Sequence, residues 1–314
     1  EADYLWNNWF LQIKNFKDVY KFAEDLDQKN YMGVSLICQA WVFSMLTDTY
    51  GDIPYYQASQ AQEGNFMPKF DSQEEIYDQI IQQLDKANNL LKNSANLDGT
   101  SDPIYGGNIQ LWRKFANSLQ LRLLLRISNK NVDKASQKIN EIVETNSTNY
   151  PLIENNTESA ILKWTGVSPY VSPFNAWRNA DWYTPKLASF FVDNLNEAGD
   201  PRLQKWATAI DGEYQGIPSG YAIGNPPTAK STFPLSLMND PLLGNILNYS
   251  EVQFILAEAA LKGWISSKSA KEYYENAATE AIKLWGYEVP SDYLNREIIA
   301  WNDNDSFSKK MNQI

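Results

Sequence analysis

Apolar residues recur at every third or fourth position through the first half of the chain, the spacing of one face of an α-helix. Leu5, Trp9, Ile13 and Phe16 share one such face, and Val34, Ile37, Trp41 and Met45 a second. Ile76, Ile80, Leu84, Ala87 and Leu91 form the clearest stripe. It is opened by Asp71-Ser-Gln-Glu, which has the form of an N-cap with an acidic residue three positions on. Leu111, Phe115, Leu119, Leu123 and Ile127 form another, with Gly106-Gly107 marking the loop before it. A shorter helix is predicted over 132–144, and the helical pattern returns over 249–262 and 270–285.

The middle of the chain breaks this rhythm. Over 146–248 the helical signal is interrupted by Pro151, Pro169, Pro173, Pro185, Pro201, Pro218, Pro226, Pro227, Pro234 and Pro241, and only 185–194 reads as a helix. Long irregular segments inside a folded protein are usually functional or disordered. This one is too aromatic for disorder, since Trp164, Tyr170, Phe174, Trp177, Trp182 and Tyr183 fall close together. The predicted fold is mostly α: a tetratricopeptide-like scaffold of stacked helical hairpins carrying a large, irregular, loop-rich insert.

Composition narrows the chemistry. The chain has 314 residues, enough to bury a substantial core, and a net charge of −11 that argues against a phosphate-tracking, nucleic-acid-binding surface. It has no histidine, which removes Ser-His-Asp and Cys-His machinery and histidine-ligated metals, and no metal or cofactor is expected. The one cysteine, Cys38, lies inside the apolar run 32–46 and reads as a buried, inert thiol. No window reaches the 18 or so apolar residues of a membrane span, and nothing at the start resembles a signal peptide. The chain opens and stops in mid-pattern, so it reads as an excerpt of a longer protein, incomplete at both ends.

Several motifs, in order, resemble those of the SusD/RagB family of outer-membrane nutrient-binding lipoproteins. Tyr50-Gly-Asp-Ile-Pro-Tyr55 resembles the family's YGD turn. Trp112-Arg-Lys-Phe-Ala-Asn-Ser-Leu119, followed by Leu121-Arg122 and Arg126, is similar to its most specific helix. Asp200-Pro-Arg202, Tyr214 with Gly216 and Gly220, and Ser250-Glu251-Val252 through Glu258-Ala259 resemble later elements. The resemblance implies one SusD-like domain over 1–314, with a helical scaffold at 1–145 and 249–314 and an aromatic insert at 146–248. It also implies a lipid-anchored cell-surface protein, held to the outer membrane only by an anchor outside these residues, that hands cargo to a SusC-like, TonB-dependent transporter.

The motif residues themselves read as scaffold. Gly51 supplies a positive φ or a close approach, Asp52 caps, and Pro54 fixes the exit of the turn. Arg122 and Arg126, one turn apart, are expected to pair with carboxylates such as Glu251 or Glu258, at least one of the two arginines being buried. Trp41, Trp112 and Trp285 are assigned to the core, and Trp6 and Trp9 to packing.

Sugar recognition needs flat apolar faces for the C–H side of a pyranose and nearby planar polar groups for its hydroxyls. The segment 169–183 holds both. The candidate ligand-binding residues are Tyr170, Asn175, Trp177, Arg178, Asp181, Trp182 and Tyr183, with Tyr55 and Tyr56 behind them. The competing assignment makes Trp177 and Trp182 core plugs that anchor the loop. At the level of function, a non-catalytic binder of oligosaccharide or polysaccharide is favoured over a carboxylate-dependent glycoside hydrolase, because no carboxylate pair stands out. Peptide cargo is a further alternative.

Overall fold

The computed structural model describes residues 2–225, 227–228 and 230–314, so Glu1 and Pro226 of the sequence expectations lie outside the described residues. Contacts gather the chain into two units, Glu1–Glu154 with Lys262–Ser267, and Asn155–Leu261 with Lys268–Ile314.

The first unit is built from α1 (Ala2–Asp25), α2 (Lys29–Tyr50), α3 (Gln73–Leu91), α4 (Ile109–Ile127) and α5 (Val132–Asn140), consecutive helices packing on one another. Helix α2 lies between α1 and α3, which explains why it is apolar nearly all round rather than striped. Ile37 is fully buried as expected, while Val34, Trp41 and Met45 of the anticipated stripe are only half-buried and Leu36, Ala40, Phe43 and Leu46 carry the core. On α1 only Ile13 of the expected face is fully buried, and Leu5 is exposed. Cys38 is half-buried on α2, and desolvation pushes its thiol up to about 12.

The turn after α2 is organised as the YGD motif suggests. Gly51 takes φ 76°, its N–H donates to the Thr47 carbonyl at 2.8 Å, and the Thr47 hydroxyl donates to the Gly51 carbonyl at 2.8 Å. Asp52 accepts from the Gln73 N–H at 2.9 Å, so it caps the start of the next helix. The N-cap of α3 is one residue later than the sequence suggests: Ser72 and Glu75 form the capping box. Asp71 is engaged elsewhere, accepting from the N–H groups of Tyr55 and Tyr56 at 2.8 and 3.0 Å.

The arginine expectation is corrected for Arg126, while Arg122 is half-buried on α4. Arg126 pairs with Asp48, not with Glu251 or Glu258, and its side chain is half-exposed. Asp48 also accepts the Tyr77 hydroxyl, at 2.5 Å. The buried cation of α4 is Arg113, 6% exposed, which donates to Asn88 Oδ1 at 2.8 Å, the Asn88 carbonyl at 3.2 Å and the Asn149 carbonyl at 2.7 Å. Burial lowers its pKa. Trp112 is buried as expected, its indole N–H donating to Asp102 at 2.7 Å.

In the second unit, β1 (Ala160–Ile161) pairs antiparallel and with an irregular register to β2 (Asn245–Leu247). Between them run α6 (Asn179–Trp182), α7 (Ser189–Glu197) and α8 (Leu203–Trp206); after them come the hairpin of α9 (Tyr249–Leu261) and α10 (Ala270–Leu284), then α11 (Phe307–Gln313). Helix α7 begins later than expected, because 187–189 is extended against Ile217: Ile217 N–H donates to the Leu187 carbonyl at 2.8 Å, and Ser189 N–H to the Ile217 carbonyl at 2.7 Å. Helices α6 and α8 are single turns, too short to write a period of 3.6 into the sequence. No described helix is long and apolar enough to cross a membrane.

Candidate functional site

The aromatic loop of the second unit is a run of tight turns tied to the core beneath it. Tyr170 closes the first turn, its N–H donating to the Val167 carbonyl at 2.8 Å and its carbonyl accepting from Thr165 N–H at 2.9 Å. Ser172 is buried and donates to the Met238 carbonyl at 2.7 Å. The next turns follow at once, Asn175 N–H to the Ser172 carbonyl at 3.0 Å and Trp177 N–H to the Phe174 carbonyl at 2.9 Å.

The two tryptophans take different roles. Trp182 is 6% exposed and packs with Leu237, Met238, Phe174 and Phe233, its indole N–H bonded to the Pro234 carbonyl. That is the core-plug role. Trp177 is 45% exposed and rests edge-on against Phe174 and Trp182, with ring centroids 5.3 and 6.3 Å away. It is an aromatic held from below and presented to solvent.

Beside it, Arg178 and Asp181 form a two-pronged pair, Nε to Oδ2 at 2.8 Å and Nη2 to Oδ1 at 2.9 Å, both exposed. Bonding to Asp181 raises the Arg178 pKa. Asn175 and Tyr183 are exposed on the same loop, and Tyr170 is half-buried at its start. No described ring contact joins Tyr170 or Tyr183 to Trp177.

Further aromatics come to the same cluster: Trp285, expected in the core, joins it half-buried, and Trp206 and Phe191 join it without having been singled out in the sequence. Trp206 and Trp285 pack on the Trp182 core, 5.2 Å apart, and Phe191 leans on Trp206 at 5.9 Å while remaining 37% exposed. Its neighbour Phe190 is 81% exposed. Phe190-Phe191 at the start of a helix is the signal that could have found them. In the first unit Tyr55 is half-buried, its hydroxyl donating to Gln83 at 2.9 Å, whereas Tyr56 is 50% exposed.

Asp200, whose pKa burial alone would raise, is held low by Arg202 and by the Tyr293 hydroxyl. Glu141, Glu144, Glu272 and Asp292 are likewise lowered by hydrogen bonds or lysine and arginine partners. Among the described residues, no group of three or more Cys, Asp or Glu side chains gathers to hold a metal ion.

A sequence model of the SusD-like family described as "Starch-binding associating with outer membrane" matches residues 2–314. The chain belongs to the SusD-like family. Solved structures agree with the assignment. A SusD homologue from Bacteroides uniformis is 27% identical with a TM-score of 0.81, over 96% of this chain and 67% of its own. A Bacteroides vulgatus outer-membrane protein, whose description links it to nutrient binding, is 26% identical with a TM-score of 0.78, over 96% of this chain and 72% of its own. A chitin-binding SusD homologue from Flavobacterium johnsoniae shares the fold at 21% identity and a TM-score of 0.83, over 98% of this chain and 68% of its own. This SusD-like chain thus spans about two thirds of the length of such relatives. Comparison with curated proteins returned no match.

Proposed function

We propose that this SusD-like chain is a non-catalytic glycan-binding protein whose ligand stacks on Trp177. The observation that carries the reading is the contrast within one loop. Trp182 is buried as a foundation, while Trp177 is raised on it beside the Arg178–Asp181 pair. A pyranose needs this combination: a rigid apolar ring face and oriented polar groups at its edge. Asn175 and Tyr183 extend the polar rim, and Tyr170 helps to hold the turn. The family's description points to starch, and a 27%-identical relative is a chitin-binding protein.

A hydrolase reading gains no support from the carboxylates. A glycosidase acid needs a raised pKa, and Asp98, Glu141, Glu144, Asp200, Glu272 and Asp292 are instead held below their ordinary values. In the proposed setting the protein is a surface lipoprotein, anchored by lipid outside these residues, and passes cargo to a SusC-like, TonB-dependent transporter. Residues 1–314 act there as one domain, with 146–248 as its ligand-bearing insert.

The test is calorimetric titration with malto- and chito-oligosaccharides alongside an assay for reducing ends. Saturable binding that Trp177→Ala weakens by about 1–3 kcal/mol, with the sugars left intact, is the expected result. Release of reducing ends that a carboxylate substitution removes would overturn the non-catalytic reading, and peptide binding without glycan binding would overturn the choice of cargo.

A further inference from the structure

The first unit carries a groove whose chemistry is unlike the rest of this acidic chain. A depression of about 630 Å³ is lined by Lys17, Tyr20, Gln39, Gln79, Gln83 and Lys86 among others. A second, of about 580 Å³, continues from Lys86 past Lys29, Asn89 and Asn93. Neither has a carboxylate in its lining, in a protein with 38 acidic residues against 27 basic.

The segregation is written into α3. Beyond its first turn, which holds Glu74 and Glu75, the α3 carboxylates Asp78 and Asp85 are engaged by Lys134 and Lys138 of α5 and line the depressions on that side. Gln79, Gln83, Lys86 and Asn89, spaced three or four apart, line the other. From Gln79 to Asn89 the helix rises about 15 Å, the reach of an oligomer rather than a single sugar.

The lysines of this groove are short of counter-charge. Lys86 Nζ lies 2.6 Å from the Tyr20 hydroxyl and 4.9 Å from its ring centroid, and that hydroxyl in turn donates to Glu24, 3.4 Å away and outside the lining. Lys17 donates to the backbone carbonyls of Ala58 and Tyr55, at 2.9 and 3.4 Å. Its burial brings the ammonium down to about 8, against the weaker pull of Glu63. An incoming anion would restore the missing charge, and flanking amides can both donate to and accept from hydroxyls.

We propose that this groove is a second glycan site, separate from the Trp177 loop, that takes an anionic oligosaccharide bearing carboxylate or sulfate groups. The sugar part of the assignment rests on the glycan-binding reading above; the charge part rests on the groove alone. Lys86 meets the anionic group, Gln79 and Asn89 meet ring hydroxyls, and the Tyr20 ring borders the path.

The experiment titrates the whole chain with tetragalacturonate, a chondroitin sulfate tetrasaccharide and neutral maltotetraose, each at two salt concentrations. Lys86→Gln and Gln79→Glu, the second placing a carboxylate in the groove, are compared with the parent and with Trp177→Ala. Lys86 is exposed, so its change should move the melting temperature little. The expected result is binding of one or both anionic oligomers that weakens with salt, falls at least tenfold in both groove variants and persists in Trp177→Ala. Tetragalacturonate carries carboxylates alone and the chondroitin sulfate both groups, so binding of the first shows that carboxylate suffices and binding of the second alone that sulfate is required. Anionic oligomers binding no better than maltotetraose, or binding equally to the parent and both groove variants, would overturn the groove site. Neutral-sugar binding lost in Trp177→Ala would still leave the loop site standing.

Discussion

The indole N–H of Trp182 donates to the Pro234 carbonyl at 3.1 Å, anchoring the ring on which Trp177 rests edge-on. Two tryptophans five residues apart therefore answer to different measurements. Trp177→Ala is expected to cost about 1–3 kcal/mol of ligand affinity, the scale of a binding hot spot, with the melting temperature unchanged. Trp182→Ala removes a buried ring and its hydrogen bond, and is expected to cost about 3–5 kcal/mol of stability. Titration and thermal melting of the two variants check the division. Equal loss of stability in both would make Trp177 a core residue as well.

Arg113 gives the second prediction. Its guanidinium is buried, and the hydrogen-bond partners it has there are neutral: the Asn88 side chain and the carbonyls of Asn88 and Asn149. Asn88 Oδ1 also accepts from Asn117 Nδ2 at 3.2 Å. Asn88→Ala takes one acceptor from each of two buried donors, leaving Arg113 Nε the longer bond to the Asn88 carbonyl and Asn117 Nδ2 its bond to the Pro151 carbonyl, so it should destabilise by about 1–3 kcal/mol in all. Urea unfolding measures it, and a midpoint equal to that of the parent would mean that another acceptor or water replaces the amide.

Much of the scaffold is legible in the sequence because its signals are local. A capping box, a glycine at positive φ and a period of 3.6 depend on neighbours within one turn or two, and α3, α4 and α10 appear where those signals stand. The partners of buried polar groups are not local. Nothing in the order of residues tells Arg113 from Arg126 as the buried arginine, since the choice depends on how α4 packs against α3 and on Asn149, which lies 36 positions away. The loop is legible in the same partial way. Its aromatic density marks it as candidate ligand surface, but the division of labour between Trp177 and Trp182 depends on Pro234, Leu237 and Met238, more than fifty positions on.

Asp200 sets an acid limit on the second unit. Its carboxylate is buried, receives the Arg202 guanidinium at 2.6 and 2.9 Å, and accepts the Tyr293 hydroxyl at 3.0 Å, which together hold its pKa below the ordinary 3.8. A folded-state pKa below the unfolded one means that the unfolded chain binds the proton more readily. The contribution is therefore complete above the unfolded value and is lost as the pH falls below 3.8 toward the folded one. Asp200→Asn should lower stability at neutral pH and flatten the decline measured by unfolding between pH 5 and pH 2. A variant with the parent's acid slope would show that other carboxylates govern it.

The last prediction concerns the bulged strand pair of the second unit. Leu162 N–H donates to the Gly244 carbonyl at 2.9 Å, just where the register between Ala160 and Ile161 slips. The chains are so close there that a β-carbon on Gly244 would lie 1.9 Å from the Leu162 carbonyl oxygen, a backbone atom that cannot swing aside as a side chain can. Gly244 is needed for this close approach and not for an unusual φ, since it is absent from the glycines at positive φ. Gly244→Ala must therefore push β1 from β2, and the cost should reach at least the 1–3 kcal/mol typical of overpacking. Gly212→Ala offers the contrast. Gly212 has φ 85° and open space around it, so its cost comes from backbone strain alone, about 1 kcal/mol or slightly more. Thermal melting of the two variants should rank Gly244→Ala as the more damaging, and the reverse order would mean that the strand pair yields to the added methyl group.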